Sequence, residues 1–428
     1  MKGLCAVAIL NNVGKTAIAA VAAAAVSLSV IPSASGAELP GGVSVPPVAG
    51  AEAVPTYPTP VQHPGAPVPQ PFSPDYVGGY ISDISSYDYG VYWQPINGFE
   101  DLRANHPEVM QENLDRVVQI NNEAKNNPAQ IQRAQNDAMA DKGGVLKAFS
   151  DALGSELGGY FLDALNENRL PKTTFLLGGG YTARAGGLAS STFAEKEYFG
   201  YERPFVVAPD RINRYESPQR DLYGTSKSFP SGHTNQATWA TTLLTMALPE
   251  LGPQILDRGA EAGYNRMVLG VHYPLDVIGG RITGTAAAAD RWNDLKMRDA
   301  IRQAGDEIRA ELQWRAGRPL ADVIATDTPY RTTSQAVAEY TQRMTHGLKP
   351  VYNQNAPMIV PQAAPDLLLP KFPNLTYSQR AEVLRQTALP AGYPLDKQGP
   401  EGSWQRINLA AAYAATVDVA ADGSVTVQ

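Results

Sequence analysis

Two short stretches constrain this chain more than anything else in it: Ser228-Phe229-Pro230-Ser231-Gly232-His233-Thr234 and Asn265-Arg266-Met267-Val268-Leu269-Gly270-Val271-His272-Tyr273-Pro274-Leu275-Asp276. In the first, Pro230 suits the opening turn of a helix, because its φ is fixed and its missing N–H is not needed there. Ser231 and Gly232 then offer main-chain N–H groups, and glycine lets a ligand approach the backbone. With the helix dipole this makes an anion site. The run from Gln236 to Leu248 reads as an apolar helix stopped by Pro249.

In the second stretch an apolar run separates Arg266 from His272, which predicts a buried helix end, and Pro274 restarts a helix. Asp276 lies four positions after His272. A carboxylate there can accept the His272 Nδ1–H, fix the tautomer and leave Nε2 unprotonated, which makes His272 a candidate nucleophile. Upstream, Lys196 and Arg203 stand seven positions apart, about two helical turns, so both can reach one face. Guanidinium groups meet phosphate bidentately, and two arginines with a lysine around a helix N-terminus supply what a phosphoryl group in transfer needs.

Taken in order, Lys196-x6-Arg203-Pro204, Pro230-Ser231-Gly232-His233 and Arg266-x5-His272-x3-Asp276 resemble the three-part signature of the type 2 phosphatidic acid phosphatase (PAP2) superfamily, which includes bacterial class A non-specific acid phosphatases and vanadium haloperoxidases. The longer stretches around the second and third motifs are most similar to the class A enzymes. The family usually has serine before the third-motif arginine, where this chain has Asn265, a residue that can also orient a neighbour or donate to phosphate. The resemblance covers roughly residues 160–290. It implies an all-α fold, a PAP2/haloperoxidase-like helical bundle carrying irregular N-terminal and C-terminal extensions.

The roles it implies match those read from the residues. His272 attacks phosphorus, His233 protonates the leaving group and then activates water, and Asp276 orients His272. Lys196, Arg203, Arg266, Ser231 and Gly232 hold the phosphate. The expected activity is metal-independent phosphomonoester hydrolysis through a phosphohistidine, with no cofactor and with phosphate or vanadate as site-binding anions. Two rivals remain open: a vanadium-dependent haloperoxidase on the same scaffold, and a non-catalytic cell-wall or phosphate-binding protein.

Composition narrows the partners. A formal charge of −7 and no basic run argue against nucleic acid. The single cysteine, Cys5, falls in the N-terminal stretch, and the histidines outside the motifs, His63, His106 and His346, occupy unlike contexts that suggest no metal cluster. Residues 1–37 read as an export signal cleaved after Ala37, which places the mature protein in the periplasm, cell wall or medium. No other segment is long and apolar enough to span a bilayer. Residues 38–74, rich in proline, valine and alanine, read as an extended linker. Residues 75–317 read as the helical phosphatase domain and 318–428 as an extension packed on it, with His346 on a surface stripe. Gly178, Gly179 and Gly180 lack the lysine and Ser/Thr of a phosphate loop and read as a turn or a close helix contact. Cell-envelope association and self-association stay open.

Overall fold

The computed structural model describes residues 38–39, 43–44, 58–73, 76, 93–179, 183–186 and 192–428. The chain divides into two compact units, Met1–Thr59 and Pro60–Gln428. In the first, the described residues form one antiparallel pairing, β1 (Glu38–Leu39) with β2 (Val43–Ser44). The expected export signal and most of the tyrosine-rich stretch 75–93 lie outside the described residues.

Among the described residues, the second unit is all-α apart from one terminal hairpin. Its helices begin where the sequence supplies a start signal. Pro107 and Pro128 open α2 (Pro107–Glu123) and α3 (Pro128–Met139), which follow α1 (Gly98–Asn105). The Asn127 side chain caps α3 by accepting from the Gln130 amide. Next come α4 (Ser155–Asn166), α5 (Phe193–Phe199), α6 (Gly232–Ala247), α7 (Gly252–Val268), α8 (Pro274–Asn293) and α9 (Leu295–Ala316). The extension contributes α10 (Leu320–Thr326), α11 (Thr333–Arg343), α12 (Tyr377–Gln386), α13 (Leu409–Ala414) and the antiparallel β3 (Val417–Val419) with β4 (Val425–Val427).

Helix α6 is the axis of the core: every residue in it except His233 is buried. It lies against α7 and α8, and small residues set how closely. A Cβ on Gly280 would come within 2.5 Å of the Ser231 carbonyl oxygen, and one on Gly284 within 2.6 Å of the Asn235 carbonyl oxygen. Some of the polar groups sealed in this contact find partners: Asn235 Nδ2 donates to Thr283 Oγ1 at 2.9 Å, and Thr241 Oγ1 to the Ala237 carbonyl at 2.7 Å. α6 begins at Gly232, two residues later than the expected start at Pro230. Pro230 precedes the cap, after a cis Phe229–Pro230 peptide, and Ser231 is the N-cap, with its side chain accepting from the Thr234 amide.

Two other expectations meet a different arrangement. The proline-rich stretch was expected to be solvated linker throughout, but the described part from Pro60 is strapped to the helical body. Arg169 donates to the Val61 and Pro67 carbonyls at 2.7 and 2.8 Å, and Phe72 is buried against Phe175. Carbonyls of this segment and one aromatic side chain make the attachment. His346 was expected on the surface, yet it is buried, beyond the end of α11, in the left-handed backbone region at φ 51°. The extension also reaches the core: Tyr413 donates to the Leu367 carbonyl at 2.7 Å, and its ring lies where a Cβ on Gly252 would be. Among the described residues, no helix is long and apolar enough to cross a membrane.

Gly284→Val should lower the melting temperature measurably, because its Cβ would meet main chain and not a flexible tip; overpacking of this kind costs about 1–3 kcal/mol. An unchanged thermal unfolding midpoint by circular dichroism would show that α6 and α8 are not held this closely.

Candidate active site

His272 sits in the short link between α7 and α8. Leu269 closes α7, Gly270 takes a left-handed φ of 68° to reverse the chain, and Tyr273 is the N-cap of α8. A side chain on Gly270 would strike Ile212 at 2.4 Å, so the link has no slack. Asp276 occupies the third position of α8, where the helix dipole favours a carboxylate. Its Oδ2 accepts three hydrogen bonds: from the Tyr273 amide at 2.9 Å, from His272 Nδ1–H at 3.0 Å and from the Ser228 hydroxyl.

On the other side of the ring, Arg203 Nη1 donates to His272 Nε2 at 3.1 Å. A guanidinium only donates, so Nε2 must be the acceptor and the proton must sit on Nδ1. Burial, followed by Arg203, Lys196 and Arg266, pushes the His272 pKa well below the ordinary histidine value. The ring is therefore neutral and in the Nδ1–H tautomer. Arg203 is itself held by the Ser226 and Val271 carbonyls at 2.6 and 2.8 Å. Lys196, in the last turn of α5, donates to the Lys227 and Ser228 carbonyls at 2.7 and 2.9 Å. Its pKa falls to about 7, chiefly because it is buried and then because Arg203 is close. Burial raises Asp276 to about 6 against the hydrogen bonds that hold it charged.

Arg266, in the last turn of α7, is buried and bears on Lys196, His272 and His233 alike, lowering the proton affinity of all three. The expected cations, both histidines and Asp276 therefore converge on one place. One expectation needs correction. The Ser231 amide was expected to face a ligand, but it donates to the Asp276 carbonyl at 2.9 Å and ties α6 to α8. Gly232 is the first residue of α6, where a main-chain N–H has no acceptor within the helix.

His233 is held by groups the sequence did not advertise. Its Nε2 lies 3.1 Å from the Ala138 carbonyl and 3.4 Å from Asp141 Oδ2. Both are acceptors, so Nε2 carries a proton. Burial and Arg266 depress His233 to about 4, while Asp141 pulls the other way. Burial would raise Asp141, but His233 and Arg220 hold it down at about 2. Arg220 binds both Asp141 Oδ1, at 2.8 Å, and the Ala138 carbonyl. Of the loop arginines, Arg211 only pairs with Asp115 at the surface, and Arg214 lies over the Phe205 and Tyr223 rings.

Asn265 points away from this cluster. Its Nδ2 donates to Asp137 at 2.7 Å, and its Oδ1 accepts from Gln130. Asp137 in turn takes both Nη groups of Arg258, so α3 is bolted to α7. That bolt fixes the end of α3, where the Ala138 carbonyl meets His233. Neither Asp141 nor Ser228 belongs to a motif. The only clue to Ser228 was its place two residues before Pro230, and the sequence gives no clue to Asp141.

These contacts bring the three motifs together in a single charged cluster. The PAP2 superfamily model matches residues 175–298, the stretch that carries all three motifs. Non-specific acid phosphatases from Providencia stuartii and Salmonella typhimurium are 31% and 28% identical to this chain over 178 and 185 residues. Those matches take in 41% and 42% of this chain and 66% and 65% of the relatives, just under two thirds of their length. An acid phosphatase from Zymomonas mobilis is 30% identical over 113 residues, 26% of this chain and 42% of the relative.

Replacing Arg203 by methionine should weaken inorganic phosphate binding about 10- to 100-fold by calorimetry, the scale of one charged hydrogen-bonding group. Arg211→Met should leave it unchanged. Equal affinity in the Arg203 variant would remove that side chain from the anion site.

Proposed function

We propose that this chain is an exported, metal-independent phosphomonoester hydrolase of the acid phosphatase type, working through a phosphohistidine on His272. One observation carries the reading: His272 is locked with its proton on Nδ1, by Asp276 on one side and Arg203 on the other. A neutral imidazole with its lone pair on Nε2 is a nucleophile at acid pH, where an ordinary histidine is protonated. Lys196, Arg203 and Arg266 bring three positive charges to the same point and supply the charge that a metal would otherwise provide.

In the first step a phosphate oxygen takes over the Arg203 Nη1–H, freeing the His272 lone pair. Nε2 then forms a bond to phosphorus as the bond to the leaving oxygen breaks. His233, protonated on both nitrogens, passes its Nδ1 proton to that oxygen. In the second step His233 Nδ1 removes a proton from water, the resulting oxygen bonds to phosphorus, and the P–N bond breaks to release inorganic phosphate. A bound phosphate dianion favours the protonated form of His233 that the free site disfavours, so the acid is charged when substrate is present. Acid phosphatases among the relatives fit this chemistry.

A panel of phosphomonoesters in chelator tests the reading. Wild type should turn over, His272→Ala should be inactive, and His233→Ala should be slower by roughly 10²-fold or more. Rapid acid-free quenching with labelled substrate should give a base-stable, acid-labile phosphate on His272. Turnover that survives in His272→Ala, or that needs added metal, would contradict it, and peroxide-dependent bromination after vanadate loading without ester hydrolysis would favour the haloperoxidase alternative.

Asp141 raises the proton affinity of His233, so removing its charge lowers that affinity, and the protonated acid is lost at lower pH. The alkaline limb of the kcat profile of Asp141→Asn should therefore move to lower pH, with KM changed less than kcat. A limb that stays in place would mean that Asp141 does not tune His233.

A further inference from the structure

Behind the first turn of α6 lies a small internal cavity of about 10 Å³, room for one atom-sized occupant. Thr234, Thr238, Val277, Arg281, Tyr340 and His346 line it. Arg281 is 4% exposed, and only its Nη2 is used, donating to the Gln405 carbonyl at 2.8 Å. Its Nε and Nη1 meet no acceptor, although the Tyr340 hydroxyl lies close by. No carboxylate among the described residues pairs with it. The nearby Asp257 is taken by Arg331 and Arg343, and Arg343 also binds Glu339 at 3.1 Å. A buried guanidinium without a counter-charge is costly, and a water would satisfy its N–H groups but not its charge.

His346 faces the same space with Nε2 unpartnered, held there by a left-handed backbone that a non-glycine residue rarely adopts. Burial and the nearby arginines keep its ring neutral, so it brings a hydrogen-bonding group without adding charge. We propose that this cavity binds one monatomic anion of chloride size, held by Arg281 Nε and Nη1 and by His346. The space is too small for phosphate or sulfate, and the apolar Val277, Leu256 and Ala260 on its wall suit a weakly hydrated halide better than a polyatomic ion.

Such an anion would join four parts of the chain. Arg281 belongs to α8, Tyr340 to α11, and Gln405 to the extension beyond it. Thr234 belongs to α6, where its hydroxyl donates to Ser231 Oγ at 2.8 Å. The ion would therefore brace the turn that carries Gly232 and His233 from behind and pin the C-terminal extension to it. Its role would be to hold the site in place, with no part in the chemistry, so it does not depend on the phosphatase reading.

The full-length chain is freed of halide in sodium gluconate and titrated with sodium bromide or chloride at constant ionic strength, with thermal unfolding as the readout. A saturable rise of about 2 °C or more is expected. Arg281→Met should unfold at the same temperature in both salts. Crystals grown in bromide should show an anomalous peak in contact with Arg281 Nη1. Should Arg281→Met fail to fold, the peak in wild type decides alone. Identical unfolding in gluconate and halide together with a peak-free cavity would overturn the proposal; neither readout requires turnover, so a failed hydrolysis assay leaves this test intact.

Discussion

The site turns on where one proton sits. An imidazole in water is indifferent between its two neutral tautomers to within a small free energy, and at acid pH it is mostly protonated. In this chain Asp276 Oδ2 accepts the Nδ1–H while an Arg203 N–H points at Nε2, so the two partners exclude both the other tautomer and the cation. Neither partner is placed by chance. Asp276 is fixed by the Tyr273 amide at the start of α8, and Arg203 by carbonyls at Ser226 and Val271. Buried positive charge from Lys196 and Arg266 adds to the same bias.

That arrangement requires α6 and α8 to meet closely at their N-termini, since each motif enters from a different part of the chain. The Ser231 amide spends itself on the Asp276 carbonyl, and Gly280 removes the side chain that would hold the helices apart. The same contact explains a cost. By using its amide for packing, Ser231 gives up a donor for phosphate, and the anion site relies more heavily on its three cations. A chain with a net negative charge has concentrated its cations where the fold is least able to solvate them.

Much of this was legible in the sequence, for specific reasons. Histidine followed four residues later by aspartate across a proline predicts a helix-start carboxylate facing a ring, and local geometry alone delivers it. The helices opened by Pro107, Pro128 and Pro274 were readable because proline at the first position is a strong local signal. Asp141 was not readable. It reaches His233 from 92 residues away, and nothing in its neighbours marks it. His346 was misplaced because its helix ends at Arg343, so helical spacing no longer says which way it points. Proline-rich composition could not show that Arg169 would bind the carbonyls of Val61 and Pro67.

Nitrogen-15 NMR of His272 tests the central claim most directly, because the two ring nitrogens report their protons separately. The account predicts, for the free protein at pH 6, a protonated Nδ1 and an unprotonated Nε2, with no cation forming until the pH is well below the ordinary histidine range. A proton found on Nε2, or a doubly protonated ring at that pH, would contradict it.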